Sequence, residues 1–461
     1  MENLTISLKA NGCCAPQNQS FPTKAEVSHE PKSKLPVAII GAGPVGLAAA
    51  AHLVSREESF ILLEAGQQAG ANILTWEHVR LFSPWRYNID KAASALLELH
   101  DWIHPDPEAL PTGKDLAEQY LQPLSNIPEI QPYLHLNTKV LSIGKKDTDK
   151  MKTANRDGVP FIICAEKDGM FQTFEARAVL DATGTWGNPN PSTSNGIWLN
   201  DEKSLRNHIF YGIPDILGKE KERYAKKRVS VVGGGHSAIN ALLELAKLKE
   251  SYPDTEIIWV MRRQSVEDAY GGEEKDALEA RGALGSRIHQ LVDQKMIKVE
   301  TPFFIQNLRR SENGIDLIGT QNGKQRTLSG IDEVIVNTGS RPDLTIVSEL
   351  RTSIDPSTES TEALAPLIDP NIHSCGTVRP HGEKELRQPE KNFYMVGAKS
   401  YGRAPTFLMA TGYEQVRSVV AYLSGDHAAA EKVELDLPET GVCSLNSKSS
   451  KTSCDESSSC C

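Results

Sequence analysis

The chain has 461 residues, of which 39% are hydrophobic and 24% charged, an ordinary globular composition with length enough for two or three domains. Its formal net charge of -10, from 50 basic against 60 acidic residues, argues against nucleic acid, whose capture needs a positive field, and leaves small molecules as the expected partners. The start shows no basic segment followed by an apolar run, so no secretory signal is expected and the expected compartment is cytoplasmic.

Residues 1–34 are polar, hold three prolines and carry neither helical nor strand periodicity, and read as a disordered N-terminal segment. The uncharged stretch that follows, 35–55, has the length of a membrane helix, but Gly41, Gly43, Pro44 and Gly46 interrupt it. Strand, turn and helix fit it better, and no membrane association is expected. VAII at 37–40 is the strand, GAGPVG at 41–46 the turn, an Ala-rich run the helix, and FILLE at 60–64 the next strand, ending in Glu64. The glycines permit a tight turn and close approach of a pyrophosphate, the helix N-terminus faces its charge, and Glu64 can accept ribose hydroxyls. Gly41, Ala42, Gly43, Pro44, Gly46 and Glu64 are therefore expected to hold a dinucleotide, taken to be FAD.

VLDATG at 179–184 is an apolar strand that ends in Thr183 and Gly184, and VIVNTG at 334–339 repeats the pattern. Between them a second copy of the first unit occurs: RVSVV at 228–232, the turn GGGHSA at 233–238, a Leu-rich helix, and the strand EIIWVM at 256–261. Ala238 stands in place of the third glycine, which the fingerprint permits. After this strand come Arg262 and Arg263, where an acidic residue would hold an NAD ribose, and cations there suit the 2′-phosphate of NADPH. Gly233, Gly235, Ser237, Ala238, Arg262 and Arg263 are expected at that site. His236 has no partner visible in the sequence and is given no catalytic role, and no catalytic triad is recognisable.

NFYMVG at 392–397 is a further strand and turn, with Gly397 expected to complete the FAD site ahead of a helix running from near Pro405 to about Leu423. The fold class expected is α/β, with two Rossmann-like dinucleotide-binding domains. An NADPH-binding domain at 191–337 is inserted in an FAD-binding domain at 35–190 and 338–440, and 441–461 is a flexible Cys-containing tail.

Together these features resemble the flavin-containing monooxygenase and pyridine-nucleotide oxidoreductase superfamily, and most closely the bacterial flavin-binding monooxygenases of arsenic-resistance operons. The closer likeness is carried by VRLFSPWRYN at 79–88, CGTVRPH at 375–381, KSYGRAPTF at 399–407 and ETGVC at 439–443. The resemblance implies reduction of FAD by NADPH and use of oxygen to oxygenate a soft nucleophile such as a trivalent arsenical, a thioether or an amine. Two departures stand out. Ala398, Lys399 and Ser400 follow Gly397 where the superfamily carries an acidic residue, and LRNHIFYGIP at 205–214 matches the F-x-G-x-x-x-H motif only through His208 and Tyr211.

None of the eight cysteines forms a C-x-x-C or C-x-x-x-x-C pair. Cys375 and Cys443 fall in stretches that carry the resemblance, and with the terminal Cys460 and Cys461 they are candidate ligands for a soft, thiophilic ion. Two alternatives stay open: an NADPH-dependent flavoprotein reductase of a disulfide or metal ion, and a non-catalytic metalloid-binding protein on this fold. A homodimer is an open possibility at this level.

Overall fold

VAII at 37–40 forms β1 (Val37–Ile40), with all four side chains buried, as a parallel strand covered on both faces requires. The computed structural model describes residues 35–273, 279–373, 381–405 and 407–435. The expectations for 1–34 and 441–461, and for Cys375, Cys443, Cys460 and Cys461, lie outside the described residues.

From β1 the chain turns into the helix Pro44–Ser55 and returns as β2 (Phe60–Leu63). After a helical excursion it forms β3 (Leu134–His135), then the antiparallel strands β4 (Thr138–Lys145), β5 (Phe161–Lys167) and β6 (Met170–Ala176), and β7 (Ala178–Asp181). Next come β8 (Ile209–Tyr211), β9 (Arg228–Val232), the helix His236–Ser251, β10 (Glu256–Val260), the helix Glu279–Asp293 and β11 (Lys298–Glu300). An antiparallel trio, β12 (Phe304–Ser311), β13 (Gly314–Gln321) and β14 (Lys324–Ile331), precedes β15 (Glu333–Val336). The last strand is β16 (Phe393–Met395), followed by the helix Met409–Leu423.

Among the described residues these strands make two five-stranded parallel sheets, ordered β16-β7-β1-β2-β3 and β11-β10-β9-β15-β8. All strands of the second sheet lie in sequence between β7 and β16 of the first. In each sheet a central strand, β1 or β9, has the next parallel strand on one side and a later one on the other. The Gly-rich turn therefore leaves at the point where the strand order reverses, the place where open α/β sheets bind ligands.

The period of two along β1 decides which core each residue joins. Val37 and Ile39 pack with Leu47 and Leu53 of the first helix and Val416 and Val419 of the last. Ala38 and Ile40 face the other way, into a core with Ile143, Phe161 and Ile163 of the antiparallel strands. The second sheet repeats the plan. Val229 and Val231 pack on Leu242, Leu245 and Ile288, while Val334 and Val336 meet Leu308, Leu317 and Ile331.

Two expectations shift slightly. The strand expected over 256–261 ends at Val260, with Met261 buried just beyond. The helix expected from near Pro405 begins at Met409, because Leu408 holds an extended conformation as its N-cap. No helix among the described residues is long and apolar enough to cross a membrane.

Candidate functional site

The glycines of the two turns divide into those the chain's own packing demands and those it does not. At Gly41, φ is +100° and a β-carbon would stand 2.9 Å from the Ala182 carbonyl oxygen; at Gly46 it would overlap the Gly41 carbonyl. Gly233, at φ +135°, likewise leaves no room beside the Asn337 carbonyl. Gly43 and Gly235 differ: a β-carbon at either would meet nothing within 4 Å. Both have ordinary extended backbone, so the fold permits a side chain at these two positions.

These two open glycines are the N-caps of the helices Pro44–Ser55 and His236–Ser251, and neither helix has a side-chain cap. Bare first-turn amides at the positive end of a helix, next to open space, suit a phosphate. The residues present thus fit a dinucleotide at each turn. Ala238, fully buried, shows that the second helix accepts a methyl where the first cannot. Gly46→Ala is accordingly expected to destabilise the protein by about 3 kcal/mol, the upper end of overpacking costs, as a lowered denaturant midpoint.

Glu64 does more than the sequence suggested. Its carboxylate accepts from the backbone N–H of Ala42 and of Gly66, each at 2.7 Å, so it braces the first turn and keeps a second lone pair on each oxygen for a ligand hydroxyl. Gly397, at φ +68°, lies against Val45 of the first helix and donates its N–H to Gln415 Oε1 at 2.7 Å. Gly184, also at positive φ, borders open space.

Between these segments lies a buried ion pair that sequence reading missed. Lys399 Nζ stands 2.6 Å from Asp181 Oδ2, with both side chains fully buried, and donates to Thr183 Oγ1 at 3.0 Å. The other Asp181 oxygen accepts from the Thr183 hydroxyl at 2.7 Å and from its N–H at 3.2 Å. The signal was present as two oddities: an aspartate ending an apolar strand, and a lysine near the place where the superfamily has an acid. Together they tie the end of β7 to the turn after β16.

At the second turn Arg263 runs beside Gly234, its Nε 3.0 Å from where a β-carbon would stand there. Arg262 is exposed and donates to the Ser194 carbonyl at 3.3 Å. His236 opens the second helix, with Ser237 next to it, and its ring lies 5.5 Å from that of Phe82. Phe82 belongs to a loop of the first unit that leans on the second: Glu77 pairs with Lys219, and His78, its basicity lowered by burial, faces Pro214 and Asp215, while Trp76 meets Trp186 of its own unit at 6.1 Å.

The two chain crossings run side by side. Asn190 N–H donates to the Gly339 carbonyl at 2.9 Å, Thr338 Oγ1 to the Pro191 carbonyl at 2.9 Å, and Arg341 N–H to the Asn188 carbonyl at 3.0 Å. His208 does not join them. It pairs with Glu333 at 3.1 Å, at the opposite end of β15 from the Gly-rich turns, and so fills a structural place. Tyr211 ends β8 on the turn side and donates to the buried Glu202 at 2.8 Å.

Residues 38–377 match the family model described as pyridine nucleotide-disulphide oxidoreductase. The chain belongs to this family. FAD and NADP(H) are its cofactors, and it is an oxidoreductase. It is 26% identical over 313 residues to a ferredoxin–NADP reductase of Lactobacillus gasseri, covering 67% of this chain and 76% of that protein. Among solved structures it resembles the bacillithiol disulfide reductase of Staphylococcus aureus, with a TM-score of 0.60 at 20% identity over 85% of this chain and 98% of the other. It also resembles the FAD-bound cadaverine monooxygenase of Erwinia amylovora, with a TM-score of 0.60 at 15% identity over 89% and 99%. At these identities the structural likenesses speak for the fold.

Proposed function

We propose that FAD lies along the first turn and NADPH along the second, and that the chain is an NADPH-dependent flavin monooxygenase acting on a soft nucleophile. The observation that carries the placement is the pair of open glycines, Gly43 and Gly235, each the N-cap of a helix without a side-chain cap and each with open space where a β-carbon would stand. In this reading Gly41, Ala42, Gly43, Pro44, Gly46, Glu64, Thr183, Gly184 and Gly397 hold FAD. Gly233, Gly235, Ser237, Ala238, Arg262 and Arg263 hold NADPH. The unit at 191–337 is then the NADPH-binding domain, inserted between 35–190 and 338–440.

Bound FAD supplies two-electron exchange with the nicotinamide and, once reduced, reactivity toward oxygen. The chain's part is placement. The helix N-termini anchor the pyrophosphates, Glu64 orients a ribose, and the Asp181–Lys399 pair fixes the turn after β16 against β7. The loop with Glu77 and Phe82 reaches from the first unit to the second, and the Phe82 ring beside His236 limits water at the second turn.

The oxygenase reading over the disulfide-reductase one is favoured by the cysteines, since none of the eight forms the spaced pair that would relay electrons beside a flavin. A trivalent arsenical is the substrate implied by the resemblance of the stretches at 79–88, 375–381, 399–407 and 439–443 to the flavoproteins of arsenic-resistance operons. The test is NADPH oxidation by the FAD-loaded protein, anaerobically and under air, with and without methylarsenite, arsenite and simple sulfides. Bleaching of the flavin without oxygen and oxygen-dependent product with one of these compounds are expected. Turnover that ignores oxygen and reduces a disulfide or metal ion instead would replace the monooxygenase reading.

Replacing Arg262 and Arg263 by Ser should weaken NADPH by about tenfold to a hundredfold through lost charge-assisted bonds to its 2′-phosphate, and should leave NADH nearly unchanged. Stopped-flow titration with both nucleotides decides it, and equal losses would refute the assignment.

A further inference from the structure

Two guanidinium groups converge beside the paired segments 188–191 and 338–341 and share one carboxylate. Arg341 is pinned there by its N–H to the Asn188 carbonyl and by Nε to Asn190 Oδ1, both at 3.0 Å. Arg403 comes from the turn after β16. Its N–H donates to the Thr358 carbonyl at 2.7 Å, and the preceding Gly402 sits so close to that carbonyl that no other side chain fits. Both backbones are thus fixed, and their forks meet.

Nη1 of Arg341 and Nη1 of Arg403 approach the same oxygen of Glu359, at 3.7 and 3.8 Å. These distances are too long for hydrogen bonds, and among the described residues no protein group accepts from any Nη atom of either arginine. Their Nη2 atoms point elsewhere, to the vacant β-carbon position of Gly196, at 3.8 Å from Arg341 and 3.7 Å from Arg403. Arg262 reaches the same turn through its bond to the Ser194 carbonyl. Two guanidinium groups therefore flank one glycine turn, with Glu359 the one carboxylate paired to Arg341 or Arg403 among the described residues.

Two anchored cations share the single Glu359 carboxylate, which leaves a net positive charge that favours a further anion. The side chains are 28% and 38% exposed, accessible to a ligand yet not free in solvent. A planar fork with unused donors matches the two oxygens of a carboxylate or phosphate. We infer that Arg341 and Arg403 form an oxyanion-binding site that takes the carboxylate or phosphate group of a small anionic substrate. That the ligand is substrate rests on the placement of FAD proposed above. Ser340, beside Arg341, donates to Thr185 at 2.9 Å, and Arg403 follows the turn that carries Lys399, so the site borders the residues assigned to the flavin.

The test uses the FAD-loaded full chain and isothermal titration with two probes, inorganic phosphate and acetate, which separate the two oxyanion sources. The parent should bind at least one probe. Arg341→Gln and Arg403→Gln should each weaken it by about tenfold or more, with flavin absorbance and NADPH affinity unchanged. Arg341→Lys and Arg403→Lys keep the charge without the fork and should fall between, which also answers for a Gln variant that folds poorly. A parent that binds neither probe overturns the site. Variants that lose NADPH in place of the probes assign the forks to the nucleotide and overturn it equally. A parent that binds the probe while Gly43→Asp keeps its full flavin complement refutes the FAD placement and leaves the oxyanion site standing.

Discussion

Gly43→Asp is expected to give a folded protein that no longer retains FAD. The new β-carbon meets no atom within 4 Å, the backbone at φ -80° and ψ -173° suits any residue, and aspartate is a favoured N-cap. Thermal stability of the apoprotein should therefore equal or slightly exceed that of the parent. The carboxylate, however, stands where the pyrophosphate must lie. Like charges about 4 Å apart at a partly shielded surface repel by roughly 4 kcal/mol, close to a thousandfold in affinity. The ratio of flavin to protein absorbance after purification reads the result, with Gly43→Ala as the control for bulk without charge. A Gly43→Asp protein that keeps its full flavin complement places the cofactor elsewhere.

Lys399→Met is expected to have the opposite profile, acting on the fold before it acts on the ligand. It leaves Asp181 fully buried without its cation, and breaking a buried pair from one side costs about 3–5 kcal/mol. Thr183 then keeps its two bonds to Asp181 but loses the donor that ties it to the turn after β16. The double replacement Asp181→Leu with Lys399→Met removes both charges and should recover most of that loss, because burying two charges offsets much of their mutual attraction. Denaturant unfolding of the apoproteins measures the three stabilities. Flavin titration then asks whether the apolar pair still positions Thr183 and Gly397. A single variant within about 1 kcal/mol of the parent would mean that the pair contributes little to the fold.

The order of these effects separates what is local in the chain from what is not. Gly41, Gly46 and Gly233 could be read in the sequence because a strand, a tight turn and a helix within a few residues impose their own backbone geometry. The short β-branched runs VAII and RVSVV, alternating with helical segments, predicted parallel strands, and the position of the second Gly-rich unit between two Thr-Gly strand ends predicted the insertion seen in the sheet order. The nature of the cofactors was equally legible, since it rests on residue types at short spacing.

What only the tertiary structure decided involves residues brought together across long stretches of chain. Lys399 and Thr183 are 216 positions apart, and nothing short of the register of β16 on β7 sets them side by side. The departure after Gly397 looked like a loss in the sequence. In space it is a charge paired with Asp181. His208 looked like part of a motif and proves to be a partner of Glu333, because strand direction puts it at the end away from the turns. Gly43 and Gly235 share one symbol with Gly41 and Gly46, and only the surrounding atoms show which glycines serve the fold and which leave room for a ligand. Arg341 and Arg403 gather around Gly196 from two distant segments, and the sequence had no spacing by which to join them. Local sequence fixes backbone conformation through short-range sterics, whereas charge pairing and open space depend on which distant segments the packed sheets bring into contact.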